Sequence, residues 1–244
     1  LVYHRLGEAY RRQGAFPKGT AEEERRVGDG DKHALLALLH ETLKPERYLE
    51  IGVQNGCSLA LAACDAIGVD PIPAPERTIP PRANVLTMTS DAFFRGPAAS
   101  LLKEPPDLVF IDGMHLFEYA LRDFAHVERF SSPGTVVVMD DIYPVHPAQA
   151  DRRRRTRTWT GDVWKVYEVL RRFRPDLFLL PLNASPTGVL LIAGLDAANR
   201  TLSEDCEAIV KRYPETMTPP PEILMRRGAY STQDARVGRL MQVV

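Results

Sequence analysis

Of 244 residues, 44% are hydrophobic and 26% charged, and 31 Lys and Arg stand against 32 Asp and Glu. That balance suits a globular chain long enough for one large α/β domain or two small ones, and it excludes the one-signed field that draws nucleic acid or a membrane surface. The longest apolar runs, such as "GVLLIAG", are far too short to span a bilayer.

In chain order, "TAEEERRV" opens on a capping box, Thr20 with Glu23, and predicts a helix from Ala21. "VGDGD" ends it. Asp31 then caps a second helix, "KHALLALLHETL", whose leucines recur at helical spacing. Strand-like and helix-like runs follow in alternation. "RYLEIG" precedes a helical stretch, "AIGVD" the Pro-rich "PIPAPERTIPPRA", and "NVLTMT" the run "DAFFRGPAASLLK". "DLVFID" precedes "LFEYALRDFAHVERF", and "TVVVMDD" precedes a basic loop and "DVWKVYEVLRRF". Five such units predict βαβ crossovers on a parallel sheet. "LFLLPL" and "GVLLIAG", parted only by "NASPT", predict an antiparallel hairpin. From Leu202 a tail adds one short helix, "TPPPE" and a polar end. The expected division is a helical cap over 1–45, the sheet domain over 46–200 and a tail over 201–244. No internal repeat is present. Cys57, Cys64 and Cys206 form no CxxC pair, which fits a reducing cytoplasm. Cys57 and Cys64, seven apart in an expected helix, read as small core residues.

Ligands bind doubly wound sheets at the carboxyl ends of the strands. The first such end reads Glu50-Ile51-Gly52-Val53-Gln54-Asn55-Gly56-Cys57-Ser58. Its glycines let backbone approach a ligand closely, and a helix N-terminus after them would offer free N–H groups. The spacing is E-x-G-x-x-x-G, not the G-x-G-x-x-G of dinucleotide binders. Asp70 closes the second strand, and Ser90 and Asp91 follow the third. Each also has a plain reading: a tight turn, a loop acid before Pro71, a helix N-cap.

Two further strands end on acids: Asp112, and the adjacent pair Asp140 and Asp141. Neighbouring parallel strands bring their ends together, so three carboxylates should meet at one rim. Their repulsion calls for a cation, and all-oxygen ligation favours Mg²⁺, with Mn²⁺ or Ca²⁺ after it. The plainer reading leaves Asp112 to touch a cofactor and Asp140 to cap the next segment. His115, three positions after Asp112, can fold back over the site as a proton acceptor, or stand as an exposed loop histidine. His146, between Pro144 and Pro147, reads as a loop residue.

Five parallel βα units closed by a hairpin resemble the Rossmann-like sheet of class I methyltransferases, and the glycine turn resembles the first motif of S-adenosylmethionine-dependent enzymes. That resemblance implies S-adenosylmethionine as cofactor: Glu50, Gly52, Gly56 and Ser58 at its methionine end, Asp70 at its ribose, Ser90 and Asp91 at its adenine, and Asp112 beside it. Asp112 and Asp140 are 28 positions apart. With Asp141, they resemble the metal residues of catechol O-methyltransferase and of the macrolide-sugar O-methyltransferases. Those sugar enzymes carry Asp-Asp here and a histidine at the position of His115, where catechol enzymes carry Asp-Asn and a lysine. The resemblance covers about Glu50 to Gly194. It implies a Mg²⁺ site of Asp112, Asp140 and Asp141, with His115 as base, acting on a sugar hydroxyl of a natural product or a nucleotide-activated deoxysugar. A catechol or phenol acceptor, or a non-catalytic cofactor-binding module, stays open, as does assembly into a homo-oligomer.

The run Arg152-Arg153-Arg154-Arg155, with Arg157 after it, leaves the metal strand. It is either a solvated loop or a grip on phosphate, which arginine binds bidentately. Trp159 and Trp164 suit either a lid over the substrate or anchors of the following helix, whose apolar stripe is Val163, Val166, Tyr167 and Leu170.

Overall fold

Runs of Val, Ile and Leu line up in the computed structural model, which describes residues 17–238, as one seven-stranded sheet. Its strands are β2 (Arg47–Ile51), β3 (Asp65–Asp70), β4 (Ala83–Thr87), β5 (Leu108–Ile111), β6 (Val136–Asp140), β7 (Phe178–Leu182) and β9 (Val189–Ala193). Their order is β4-β3-β2-β5-β6-β9-β7. The first five are parallel, and β9 runs antiparallel to both β6 and β7. This is the class I methyltransferase arrangement, and the predicted antiparallel pair is its edge. The chain moves outward from β2 through β3 to β4, then returns to β5 on the other side. That reversal opens a crevice at the carboxyl ends of β2 and β5.

Helix α1 (Lys32–Leu43) lies on one face and buries Leu35, Leu36 and Leu39. Asp31 caps it, accepting from the N–H groups of His33 and Ala34. The helices α2 (Ser90–Arg95), α3 (Ala98–Leu101), α4 (Phe117–Arg129) and α5 (Trp164–Phe173) supply the other face. Val163, at the N-cap of α5, and Val166 and Leu170 within it are buried as the stripe predicts, and Tyr167 packs at its margin. A second sheet of two short strands, β1 (Gly30–Asp31) and β8 (Ala184–Ser185), ties the start of α1 to the chain between β7 and β9.

Three local expectations are corrected. The capping box forms: Glu23 accepts from the Thr20 N–H, and the Thr20 hydroxyl accepts from the Glu23 N–H. No helix grows from it, because the Glu24 carboxylate turns instead to the backbone N–H groups of Gly19, Arg157 and Thr158. Between β2 and β3 there is only a 3₁₀ turn, Leu59–Leu61, so Cys57 and Cys64 do not share a helix. Gly52 and Gly56 both have positive φ, and the short span to Asp65 is spent on the turn they shape. The tail carries more than the one short helix expected, with α6 (Thr201–Glu204), α7 (Cys206–Arg212) and α8 (Pro221–Leu224) among the described residues.

Both flanks of the sheet domain pack into it. Leu202, Ile209 and Ile223 join one core, while Leu35, Leu39 and Val237 join the other. Arg226 donates to the carbonyls of Val27, Tyr143, Ala184 and Pro186, stitching tail, N-terminal segment and hairpin together. The expected cap and tail extend over 1–16 and 239–244, which lie outside the described residues. Among the described residues no helix is long and apolar enough to cross a membrane.

Candidate active site

Asp112, Asp140 and Asp141 do converge, as parallel neighbours β5 and β6 require. Asp141 has φ 68, an uncommon value for a residue other than glycine. Regular strand alternation would send adjacent side chains to opposite faces. The turn at Asp141 breaks that alternation, so both carboxylates of the pair come round to Asp112.

The counter-charge the rim needs is partly in the chain. Lys32, the first residue of α1, places its ammonium between Asp112 Oδ2, at 2.9 Å, and Asp140 Oδ2, in very close contact. Thr187 donates its hydroxyl to the other oxygen of Asp140. Burial opposes the charge on Lys32, yet the three aspartates hold its pKa well above the ordinary range. Burial raises Asp140, toward about 7, against the pull of Lys32. Asp112 moves the other way: the nearby Lys32 and His115 overcome its burial and hold it far below the usual carboxylate range. The sequence contains no local signal for this ammonium, which lies 80 positions from Asp112.

His115 completes the rim. Its Nε2 is 3.3 Å from Asp112 Oδ1, and its Nδ1 is 3.0 Å from Asp141 Oδ2 and 2.7 Å from the Trp159 carbonyl. The carbonyl can only accept, so Nδ1 carries a proton and Nε2 is the variable atom. The ring stacks on Trp159, centroids 4.9 Å apart and planes 13° from parallel. Gly161 (φ 53) backs this shelf. A Cβ there would lie 1.7 Å from the His115 carbonyl oxygen. Burial lowers the imidazole pKa, but Asp141 and Asp112 outweigh it and hold the pKa well above 6.5. Asp112, His115 and Asp141 each offer a ligand atom, all within 4.8 Å of one another. That spacing accommodates a hard divalent ion, whose bonds to oxygen are roughly 2.0–2.6 Å. Asp140, expected as a third carboxylate ligand, stands outside this group with its oxygens on Lys32 and Thr187.

The rim opens into a cavity of about 650 Å³ that also reaches Gly52, Ser58, Asp70, Ser90 and Asp91. Of the expected cofactor residues, Glu50 and Gly56 lie behind its wall. Glu50 is fully buried and accepts from the hydroxyls of Tyr48 and Ser58, and burial lifts its pKa to about 8. It braces the turn from below, and Gly56 faces Ile79 and Pro75. Asp70 accepts from the N–H groups of Gln54 and Ile72, holding the turn against β3. Both oxygens of Asp91 accept from Arg122, and the cap of α2 is Thr89 instead.

Asp123 is a group the sequence reading missed. It is an acid on the buried face of α4 beneath Gly113. Desolvation raises its pKa to about 7, and its Oδ1 has no hydrogen-bond partner. The signal was available, since Asp123 lies among the apolar positions Ala120, Leu121, Phe124 and Val127.

Gly52 has a sharper constraint than room for a ligand. An added Cβ would fall 1.9 Å from the Asp112 carbonyl oxygen, and φ is 94. Gly52→Ala is therefore expected to destabilise the fold by about 2–4 kcal/mol, adding overpacking to left-handed strain. Thermal melting checks this, and an unchanged Tm would show that the strand ends relax freely.

The basic loop divides. Arg152 is internal, paired with Glu118 and Asp162. Arg153 is exposed, and Arg155 pairs with Asp151. Of this loop only Arg154 and Arg157 line the cavity, joined there by Arg26 and Arg95. The tryptophans divide likewise: Trp164 is core, and Trp159 walls the cavity. His146 is a loop residue whose Nδ1 accepts from the Ala148 N–H.

Residues 49–142 match the family model described as a methyltransferase domain. No curated protein matches the chain. Among solved structures, the O-methyltransferase of Bacillus cereus in complex with SAH is 15% identical, with a TM-score of 0.51, over 78% of this chain and 89% of that one. The O-methyltransferase TomG from Streptomyces achromogenes, in complex with SAM and described as involved in tomaymycin synthesis, is 20% identical, with a TM-score of 0.43, over 68% and 80%. The match over residues 49–142 and the Bacillus cereus structure agree with the Rossmann-like, mostly parallel fold seen here.

Proposed function

We propose that this chain is an S-adenosylmethionine-dependent O-methyltransferase of a small hydroxylated molecule, with a sugar hydroxyl as the leading acceptor. The observation that carries the reading is His115, held between Asp112 and Asp141 at the end of the same cavity that the glycine turn, Asp70 and Ser90 enter. The cofactor supplies an activated methyl; the protein supplies orientation and a base. Gly52 and Ser58 would face its methionine end, Asp70 its ribose, and Ser90 with Asp91 its adenine. An acceptor hydroxyl beside Nε2 gives its proton to His115. The bound cofactor would supply the methyl to that oxygen and take up the carbon–sulfur electron pair as a neutral thioether.

Divalent-ion dependence belongs to the same proposal. The hard oxygens of Asp112 and Asp141 would hold Mg²⁺, which would lower the pKa of a coordinated hydroxyl. The ion's positive charge beside those carboxylates would also weaken their hold on the His115 proton and favour the neutral form a base needs. A second reading is favoured by Lys32: the ammonium between Asp112 and Asp140 supplies the counter-charge, and transfer runs without a metal. Methyl transfer to a panel of sugar diols and catechols, with Mg²⁺ or with EDTA, tests both. A loss of at least 100-fold in EDTA is expected. Equal turnover would reject the ion and leave the lysine reading. Preference for catechols would reject the sugar.

A further inference from the structure

We infer that the acceptor carries an anionic ester group, a phosphate or a sulfate, seated on Arg26 and Arg157 at the cavity wall. This inference rests on the methyl-transfer reading of the same cavity and narrows its substrate. Every carboxylate lining that cavity already has a partner. Asp70 accepts from backbone N–H groups, Asp91 from Arg122, Asp112 from Lys32, and Asp141 lies against His115. The guanidiniums of Arg26 and Arg157 differ. Both line the cavity, and neither makes an ion pair with a described carboxylate at 4.0 Å or less.

These two arginines are held in place. Arg26 donates from Nε to the Thr158 hydroxyl at 3.2 Å, which fixes one edge of its guanidinium at the cavity wall. Glu24 binds the N–H groups of Arg157 and Thr158, and Gln149 donates to the carbonyls of Glu23 and Arg25. The turn at 20–26 and the loop at 151–160 are thereby one rigid rim. Arg154 reinforces it, donating to the Arg157 carbonyl and lying 5.5 Å over Trp159. Trp159 is the ring on which His115 stacks, so the loop that carries Arg157 packs directly against the base. Planar forks on a fixed backbone match a tetrahedral oxyanion. An acceptor bound there by its anionic group would lay a nearby hydroxyl toward His115.

The experiment is calorimetry on the full chain saturated with S-adenosylhomocysteine. The probes are inorganic pyrophosphate, inorganic sulfate, glucose 1-phosphate and free glucose. Pyrophosphate and glucose 1-phosphate are expected to bind at least tenfold more tightly than glucose. Arg26→Ala and Arg157→Ala should each weaken them at least tenfold, and Arg26→Lys should weaken them less than Arg26→Ala. Arg153→Ala, outside the cavity, should change nothing. The sulfate arm decides between the esters: tighter sulfate than phosphate binding assigns the sulfate ester. No anion binding at millimolar concentration, or equal binding by the Arg26 and Arg157 variants, overturns the inference. So does a selective loss of S-adenosylhomocysteine affinity in those variants, which would assign the arginines to the cofactor's own carboxylate. Failure of the wild-type chain to bind S-adenosylhomocysteine would instead reject the methyl-transfer reading, and the anion titration, repeated without it, still reports on the rim.

Discussion

His115→Ala is expected to lower kcat/KM for methyl transfer by about 10²–10⁴-fold, the usual worth of a positioned general base. Affinity for S-adenosylhomocysteine should stay close to wild type, because the ring faces the acceptor end of the cavity. The pH profile carries the finer expectation. Asp141 and Asp112 hold the His115 pKa well above 6.5 despite its burial. A base must be neutral, so kcat/KM should rise with pH through a limb above pH 6.5. Asp141→Asn removes one of the two charges that favour the imidazolium. That limb should therefore move to lower pH, and the ring should be neutral over a wider range. Wild-type turnover in His115→Ala, or a limb that Asp141→Asn leaves in place, would remove His115 from the chemistry.

Lys32→Met is expected to give the largest loss of stability at the site. The lysine side chain is only 17% exposed, and it separates carboxylates that would otherwise repel. Breaking a buried pair by removing one partner costs about 3–5 kcal/mol. The lower figure corresponds to a fall in Tm of roughly 6–12 °C for a chain of this size. Divalent ions give the experiment its second axis. If the three aspartates recruit Mg²⁺ when the ammonium is gone, millimolar Mg²⁺ should restore much of the loss in Lys32→Met and raise the wild-type Tm less. A variant as stable as wild type would mean that Lys32 contributes nothing to the rim. A destabilised variant indifferent to Mg²⁺ would favour the lysine over the metal as the natural counter-charge.

Much of the architecture was written in local pattern. Runs of four apolar residues ending on Asp70, Asp112 or Asp140 read as buried parallel strands because both faces of such strands meet helices. The placing of acids at their ends follows from topology, since neighbouring parallel strands end at one rim. That logic places Asp112, Asp140, Asp141 and His115 at one rim. It also misjudged short elements. "TAEEERRV" has the start signal of a helix but lends Glu24 to a loop more than 130 positions away, and the span between β2 and β3 is consumed by its glycines.

What the sequence determined by itself was therefore the parallel sheet, its closing antiparallel pair and the acids at its carboxyl end, because each depends on periodicity or on adjacency along the chain. Only the tertiary structure decided which cation meets those acids and which arginines face the cavity. Lys32 reaches Asp112 because β1 pairs with β8 and aims the start of α1 at the rim. Arg152 turns inward to Glu118 and Asp162, while Arg157 and the distant Arg26 turn to the cavity. In one dimension these arginines look alike, since charge has no periodicity in a loop. Their roles are set by the partner each side chain finds across the fold.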